Sequence, residues 1–217
     1  MNQGRALPVL EGAHHLEFRC TGCGNCCKSL RVPVTHSDVA RLSQALCRSA
    51  HSLVDWLRPD EVDMTNEPGA WVELGIGRRL MVLAHAGGGC HLLDAENRCS
   101  AYTARPADCR LFPFDVERDE HGRAVKLGRL HLDGCGDELA STSLPITDAS
   151  KSEDPDELFE RDRARWGELA EYQAVVANWN RLVRHRRRFR RRAGNAGEFL
   201  AFVGLETKLS AGWAADP

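Results

Sequence analysis

Long apolar runs are missing from this sequence. No stretch approaches the roughly 18 consecutive apolar residues of a membrane-spanning helix. The segment from Met1 to Leu16 lacks the apolar core and the small-residue cleavage site of a secretory signal. No internal repeat of the solenoid kind is present. We therefore expect a cytoplasmic protein with no membrane contact.

A large net charge of either sign is also missing. The 217-residue chain carries a formal charge of −2, with 42% hydrophobic and 28% charged residues. The whole molecule therefore has no electrostatic bias towards nucleic acid. This composition is typical of a soluble globular protein, and the length is sufficient for a sizeable core.

Cysteine, in contrast, is plentiful and clustered. The chain has nine cysteines, an odd number that fits a disulfide framework poorly. Four of them fall within one short run, Cys20-Thr21-Gly22-Cys23-Gly24-Asn25-Cys26-Cys27. Buried structural cysteines are usually scattered singly, and dense cysteines in a reducing compartment more often bind metal or do redox chemistry. We therefore interpret the run as part of a metal site.

Spacing within the run supports metal binding. Two thiolates separated by two residues can hold one ion from a single turn, as Cys20 with Cys23 or Cys23 with Cys26 would. The glycines of the run permit the tight turn that such a pair needs. Because adjacent side chains usually point apart, Cys26 and Cys27 are hard to place on one tetrahedral ion. We infer that this pair serves two different metals or subsites.

The remaining cysteines supply a second set of thiols. We predict eight metal ligands, enough for two four-cysteine sites or one multinuclear cluster: Cys20, Cys23, Cys26, Cys27, Cys90, Cys99, Cys109 and Cys135. Cys47 stands apart at a predicted helix end and is interpreted as a core thiol. The first three cysteines match a bacterial ferredoxin pattern in part, and the fourth departs from it. Zinc, iron and an iron–sulfur cluster all stay open at this point.

The elements around the cysteines predict an α+β fold, with a small, irregular, metal-centred domain. Thr35 followed by Asp38 is a capping-box pattern, and the apolar spacing after it predicts a helix over about residues 36–47. The apolar spacing over residues 53–57 predicts a second short helix. We expect these N-terminal helices to form a wall beside the cysteine cluster.

Two β-hairpins are predicted in the middle of the chain. The apolar runs at 71–74 and 79–83 flank one turn, and those at 112–116 and 125–130 flank another. Before the first helix, residues 30–34 alternate around a proline, which predicts a short extended segment at a sheet edge. The second cysteine set thus lies in turns, where a metal ligand can fix a loop.

The C-terminal third predicts a helical segment. We place the metal-binding domain at 1–140, a linker at 141–153, and a helical segment that packs on the domain at 154–217. Asp154 as N-cap and Pro155 at the first position indicate where the helix starts. Three aromatic residues of its apolar stripe are interpreted as core: Trp166, Tyr172 and Trp179.

Opposite charges are concentrated in two blocks of this segment. Residues 148–171 are rich in acids, and residues 181–192 hold eight arginines. We expect a helical hairpin in which the blocks neutralise each other, a break at Gly194, and a short helix over 198–209. Clustered arginine can bind nucleic acid, but the exposed-face interpretation is favoured. An acidic protein partner stays open.

Other polar residues near the cysteines are interpreted as supporting groups. Three histidines are expected to lie at the surface or beside the ligands: His85, His91 and His131. His36 is expected to be a first-turn residue of its helix. Arg105 and Arg110 are expected to hold carboxylates or backbone carbonyls.

Three further motifs surround the second cysteine set: Cys90-His91-Leu92-Leu93, Arg98-Cys99-Ser100-Ala101-Tyr102 and Arg105-Pro106-x-x-Cys109-Arg110-x-Phe112-Pro113-Phe114. With the Cys-x-x-Cys-x-x-Cys-Cys run, they resemble the bacterial cysteine-cluster proteins described as zinc- or iron-chelating, the YkgJ-like family, over about residues 18–135. The resemblance implies that the eight predicted cysteines are the ligands. It also implies a scaffold around them: Arg105, Pro106, Arg110, Phe112 and Pro113.

The leading functional hypothesis is a cytoplasmic metal-binding protein whose thiolates chelate zinc or iron, an iron–sulfur cluster included. A related domain occurs in a flagellin lysine N-methylase, so a metal-dependent oxidoreductase or protein-modifying enzyme is an alternative. The sequence contains neither a glycine-rich S-adenosylmethionine signature nor an evident nucleophile–base pair. A further alternative is a zinc-stabilised interaction module whose arginine-rich helix binds an acidic partner.

Overall fold

The computed structural model describes residues 23–62, 68–118, 124–129, 132, 155–189 and 194–205. Five α-helices lie in these ranges: α1 Asn25–Ser29, α2 His36–Leu46, α3 Ala107–Leu111, α4 Pro155–Arg188 and α5 Ala196–Phe202. The strands described there are β1 Val54–Leu57, β2 Val72–Leu74, β3 Gly77–Leu83, β4 His85–Ala86, β5 Gly89–Cys90, β6 Phe114–Arg118 and β7 Ala124–Arg129. The mixture of helices with small antiparallel sheets confirms the predicted α+β class.

The central sheet has three antiparallel strands in the order β1-β3-β2. Strand β2 pairs with β3, with Val72 opposite Arg79, which confirms the first predicted hairpin. The second predicted hairpin is also confirmed, since β6 pairs with β7 and Phe114 lies opposite Arg129. Between them, the two short strands β4 and β5 form a third hairpin that leads to Cys90.

The segment after the cysteine run lies along β3. The N–H of Val34 donates to the carbonyl oxygen of Met81 at 3.1 Å, and the N–H of Leu83 donates to that of Val32 at 2.9 Å. These bonds confirm the predicted short extended segment. They hold the exit of the cysteine run against the central sheet.

The predicted helix over residues 53–57 is wrong. A short 3₁₀ turn, Ala50–Ser52, is followed there by β1, in which Val54 lies opposite Leu83 and Leu57 opposite Leu80. The buried half of β3 needs main-chain hydrogen-bond partners, and β1 supplies them. Apolar spacing within five residues does not separate a helix from a strand, so this long-range pairing decided the outcome.

Helix α2 begins as predicted, and its end corrects one prediction. Thr35 and Asp38 form a capping box, in which Thr35 Oγ1 accepts from the N–H of Asp38 at 3.1 Å. The helix ends at Leu46, and Cys47 follows in the left-handed region with φ of 50°. Cys47 is exposed, so its interpretation as a core thiol is wrong. It lies beyond the last turn, and the buried face of α2 ends before it.

Helix α4 runs over 34 residues and starts at Pro155, as predicted. Tyr172 and Trp179 are 2% and 1% exposed, which confirms their place in the core. Trp166 is 37% exposed, so its assignment to the core is wrong, because it lies on the outer face of the helix. Asn180 ties α4 to β2, since its Nδ2 donates to the carbonyl oxygen of Trp71 at 2.8 Å.

The arginines from 181 to 188 continue α4, so the predicted hairpin between the two charge blocks is wrong. Their carboxylate partners come from elsewhere. Glu73 of β2 pairs with Arg187 at 2.9 Å and with Arg184 at 3.6 Å. Glu198 of α5 pairs with Arg186 at 3.1 Å. These arginines therefore join the end of α4 to the sheet and to α5.

One hydrophobic core joins the sheet to α4 and α5. Met81, Trp179 and Phe199 are each at most 1% exposed, and the rings of Trp179 and Phe199 meet edge to face at 5.5 Å. Helix α5 begins after the predicted break, with Asn195 as its cap. In the described part of the chain, no helix is long and apolar enough to cross a membrane. The predicted linker, the Asp154 cap and residues after 205 lie outside the described residues.

Candidate metal centre

Cys26 and Cys27 lie on α1, a single short turn of helix. Gly24 precedes it with φ of 72°, a backbone conformation that favours glycine. A Cβ at Gly24 would lie 3.0 Å from the Cβ of Asn97. The glycine therefore lets the cysteine run approach the loop before Cys99. This confirms the predicted need for a glycine at position 24, while Gly22 lies outside the described residues.

Cys90 lies at the end of the β4–β5 hairpin, beside α1. A Cβ at Gly89 would lie 3.4 Å from the carbonyl oxygen of Cys27, so β5 and α1 are in close contact at this point. Cys90 is 8% exposed and belongs to the hydrophobic core. The glycines at 24 and 89 thus allow three cysteine-bearing segments to meet.

Cys99 follows a tight turn that its own residues stabilise. Asp94 Oδ1 accepts from the N–H of Arg98 at 2.7 Å and from the N–H of Glu96 at 3.0 Å. Asn97 takes a left-handed φ of 60°, and a bridge pairs Leu93 with Cys99. This turn was not predicted from the sequence. Aspartate and asparagine both favour turns, so the pair Asp94 and Asn97, three residues apart, could have indicated it.

Cys109 lies on α3, which packs against α4. Leu111 of α3 and Leu158 of α4 are buried in one small apolar cluster with the start of β6. Arg165 of α4 forms an ion pair with Asp108 of α3. Helix α3 therefore carries its cysteine on a turn that the C-terminal part of the chain supports.

The sulfurs of Cys26 and Cys27 are 3.9 Å apart. Two sulfurs bound at about 2.3 Å to one tetrahedral ion would be separated by about 3.8 Å. The expectation that these adjacent side chains point apart is therefore wrong. Their separation suits two ligands of one ion, because the short helix α1 presents both thiols to the same side.

The two thiols of this pair differ in acidity. The pKa of Cys26 is lowered to about 6, chiefly by a hydrogen bond from the Cys27 thiol, with the charge of Arg105 acting in the same direction. The pKa of Cys27 is raised strongly by that shared proton and then by burial. Cys26 is thus a thiolate near neutral pH, the form that binds metal.

The other cysteines lie within the electrostatic field of this pair. Burial is the main cause that raises the pKa values of Cys90 and Cys109, and charges on neighbouring cysteines add to it. The neighbours include Cys99 and Cys26 for both thiols. We call these residues the five-thiol group: Cys26, Cys27, Cys90, Cys99 and Cys109. Burial and mutual repulsion in such a group are relieved when a cation binds.

The cysteines of the five-thiol group lie near one another, but they are not arranged as a complete coordination site. Within the described ranges, no three or more His, Cys, Asp or Glu side chains are arranged to hold a metal ion. Metal sites commonly form together with binding rather than before it. Thiolates are the donors that zinc and iron–sulfur centres take, so the chemistry of the donor set fits the predicted metals.

The structure does not describe every predicted ligand. Cys23 is half-buried and lies two residues before α1. Cys20 and Cys135 lie outside the described residues. The six described members of the predicted set come from four separate segments, and five of them form the five-thiol group.

Arginines beside the group have the partners that the sequence analysis expected. Arg105 Nε donates to the carbonyl oxygen of Tyr102 at 3.1 Å, and its guanidinium lies over the Tyr102 ring at 3.8 Å. Arg110 lies 3.8 Å from a carboxylate oxygen of Glu168. Both contacts confirm the prediction that these arginines hold carbonyls or carboxylates.

Histidines lie next to the group. Nδ1 of His91 is 2.9 Å from the carbonyl oxygen of Ala84, and His85 lies opposite Cys90 in the β4–β5 pair. Burial lowers the pKa of both rings. Their places beside a predicted ligand agree with the supporting role expected for them. His36 is the first residue of α2, as predicted, and His131 lies outside the described residues.

The sequence of this chain matches a known protein family. The profile of the CxxCxxCC family, described as "Putative zinc- or iron-chelating domain", matches residues 19–127, half of the chain. The chain belongs to this family. The CxxCxxCC match contains seven of the eight predicted ligands, and Cys135 falls beyond it. No curated protein and no solved structure matches the chain.

Proposed function

We propose that this protein binds metal through its clustered cysteines and that the metal is zinc or iron. The single observation that carries the proposal is the five-thiol group. Four separate segments of the chain bring their cysteines into one another's electrostatic field, although burial there raises the pKa of Cys90 and Cys109. The raised pKa values favour neutral thiols, and a bound cation would stabilise them as thiolates.

The proposed ligands are the eight cysteines predicted from the sequence: Cys20, Cys23, Cys26, Cys27, Cys90, Cys99, Cys109 and Cys135. The 3.9 Å separation of the Cys26 and Cys27 sulfurs supports their binding to one ion. The five-thiol group has more thiols than one tetrahedral ion takes. A surplus thiol therefore suits a bridge to a second ion or a place in an iron–sulfur cluster, completed by the other three cysteines.

The chemistry that the bound metal would supply depends on which metal it is. Zinc held by thiolates would stabilise the junction of the cysteine-bearing segments. An iron–sulfur cluster would accept and release electrons, with a potential set by hydrogen bonds and solvent exposure. In either case the chain supplies the thiolates, the glycines that allow close approach, and the nearby positive charge of Arg105.

Metal analysis of the full chain, purified without oxygen, tests the proposal. We expect zinc or iron in whole-number ratio to protein. Visible absorption bands and acid-labile sulfide would assign iron to a cluster. Protein that remains metal-free after anaerobic incubation with Zn²⁺, and separately with Fe²⁺ plus sulfide, would overturn the proposal. A Cys47→Ser variant is the matched control, because its exposed thiol should leave the metal content unchanged.

Removal of the metal tests its structural role. Chelation should lower the midpoint of thermal unfolding, because a metal bound by the thiolates would join four separate segments of the chain. An unchanged melting profile after complete chelation would show that the metal does not support the fold.

A further inference from the structure

The carboxylate of Asp38 accepts one more backbone hydrogen bond than the capping of α2 requires. In the capping box, its Oδ2 accepts from the N–H of Thr35 at 2.9 Å and from Thr35 Oγ1 at 3.0 Å. Its other oxygen, Oδ1, accepts from the N–H of Ala107 at 2.9 Å, across 69 positions of sequence. The carboxylate is 2% exposed. A buried carboxylate with partners on both oxygens is a fixed point between two elements.

Ala107 is the first residue of α3, and α3 has no cap of its own. Its N-cap residue is Pro106, whose side chain has no oxygen to accept a hydrogen bond. The first N–H groups of a helix have no partner within the helix. The Asp38 carboxylate supplies one from outside. Since Cys109 is the third residue of α3, this bond fixes the turn on which that thiol stands.

Asp38 is itself held in place from the C-terminal part of the chain. Arg41 forms an ion pair with Asp38 Oδ1 through Nη2. The same guanidinium makes two bonds to Glu168 of α4, at 2.9 Å and 3.1 Å. A two-pronged arginine–carboxylate pair fixes geometry as well as charge. Helix α4 thus steadies α2, and α2 steadies the start of α3.

We propose that Asp38 is a positioning residue for the metal centre: its carboxylate sets where Cys109 stands relative to the other members of the five-thiol group. The inference rests on the proposed function and adds to it a residue that is not a ligand. Its contact with Ala107 crosses too much sequence for any local pattern to reveal it.

Replacement of Asp38 by alanine, compared with a variant that disturbs only the cap, separates this role from the capping of α2. Alanine removes both acceptor oxygens, so the bond from Ala107 is lost together with those from Thr35. Thr35→Ala is the matched control. It removes the two capping-box bonds made by Thr35 Oγ1 and leaves the bond from Ala107 to Asp38 in place.

The first measurement uses reduced, metal-free protein. Alkylation of each cysteine is followed by peptide mass spectrometry, with exposed Cys47 as the internal reference. Asp38→Ala should raise the labelling rate of Cys109 relative to Cys90 by about tenfold, because the first turn of α3 opens more often. Thr35→Ala should leave that ratio near the wild-type value. Equal ratios in the two variants would overturn the proposal.

The second measurement is zinc affinity by competition with a chelator. Loss of a group that orients a ligand commonly costs about 10- to 100-fold in metal affinity, and we expect a loss in this range for Asp38→Ala and less for Thr35→Ala. Equal affinities in both variants would overturn the proposal. If the wild type binds no metal, the proposed function fails, while the labelling ratio still tests the placement of Cys109.

A milder variant covers the case in which Asp38→Ala does not fold. Arg41→Gln removes the guanidinium that joins Asp38 to Glu168, and it leaves every atom of Asp38 and the pair between Arg110 and Glu168 in place. It should raise the Cys109 labelling ratio and lower zinc affinity, each by less than the direct replacement. Wild-type values for both would overturn the link from α4 to the centre.

Discussion

Gly194 lies against the indole ring of Trp179, so that a Cβ at this position would overlap ring carbons Cζ2 and Cη2. The ring is 1% exposed, and its Nε1 donates to the carbonyl oxygen of Glu73 at 2.8 Å. The carbonyl oxygen of Gly194 accepts from the N–H of Gly75 at 2.8 Å. Hydrogen bonds therefore hold both the backbone of Gly194 and the ring of Trp179, and neither can move away from an added Cβ.

Gly194→Ala should therefore lower the free energy of unfolding by about 1–3 kcal/mol, the usual cost of overpacking a core. Urea unfolding followed by tryptophan fluorescence measures it. Gly167→Ala is the control, since nothing lies within 4 Å of a Cβ there and the position is in the interior of α4. It should gain about 0.5–1 kcal/mol from helix propensity. A neutral result at 194 would show that the ring can shift.

Local signals predicted the elements that local forces determine. The capping box of α2, the proline start of α4 and both predicted hairpins depend on residues within a few positions of one another, and each is confirmed. Membership of the CxxCxxCC family could also be predicted from the sequence, because the spacing of the cysteines and the motifs after them are local features.

The errors arise where distant residues decide the structure. Strand β1 pairs with β3 although its spacing suits a helix. Helix α4 continues through Arg188, and the carboxylate partners of its last arginines, Glu73 and Glu198, come from the sheet and from α5. In the centre, the sequence named the thiols but not the contacts that gather them. Those contacts involve Gly89, the Asp94 turn and Asp38, which meet the cysteines only in the folded chain.

The thiol of Cys47 should be dispensable for metal binding. A residue with a Cβ is also poorly suited to the left-handed backbone conformation at this position. It is exposed and takes φ of 50°, a conformation in which glycine avoids the Cβ penalty. Cys47→Gly should leave the metal-to-protein ratio unchanged and keep or raise the melting temperature of the protein. Metal analysis and calorimetry of the purified variant measure both. A drop in bound metal would instead make Cys47 a ninth ligand.

Acid should weaken the metal-free fold through three half-buried histidines. Burial lowers the pKa values of His36, His85 and His91 below the ordinary 6.5. Between 6.5 and the folded-state values, the unfolded chain binds more protons than the folded one, so stability is present above 6.5 and falls as the pH decreases. Each histidine can contribute at most about 1.4 kcal/mol per pH unit.

Urea unfolding of the reduced, metal-free protein at a series of pH values from neutral to mildly acidic measures this slope. His91→Gln should make it shallower, because one titrating group is gone. His51→Gln, at an exposed position, is the control and should leave the slope unchanged. A slope of zero over this interval in the wild type would contradict the assignment of half-buried, neutral rings.

Cys26 should be more acidic than the thiols of Cys27, Cys90 and Cys109. Its pKa is lowered to about 6, and the largest cause is the hydrogen bond from Cys27. Alkylation requires the thiolate, so the labelling rate of Cys26 in metal-free protein should reach half its maximum near that pH. Cys27→Ala removes the donor and should move the midpoint upward, towards the value of about 8.5 for a free cysteine. Peptide mass spectrometry across a pH series gives the midpoints. A midpoint that stays the same in Cys27→Ala would assign the low pKa to the backbone hydrogen bonds of Cys26 and Cys27 and to the charge of Arg105 instead.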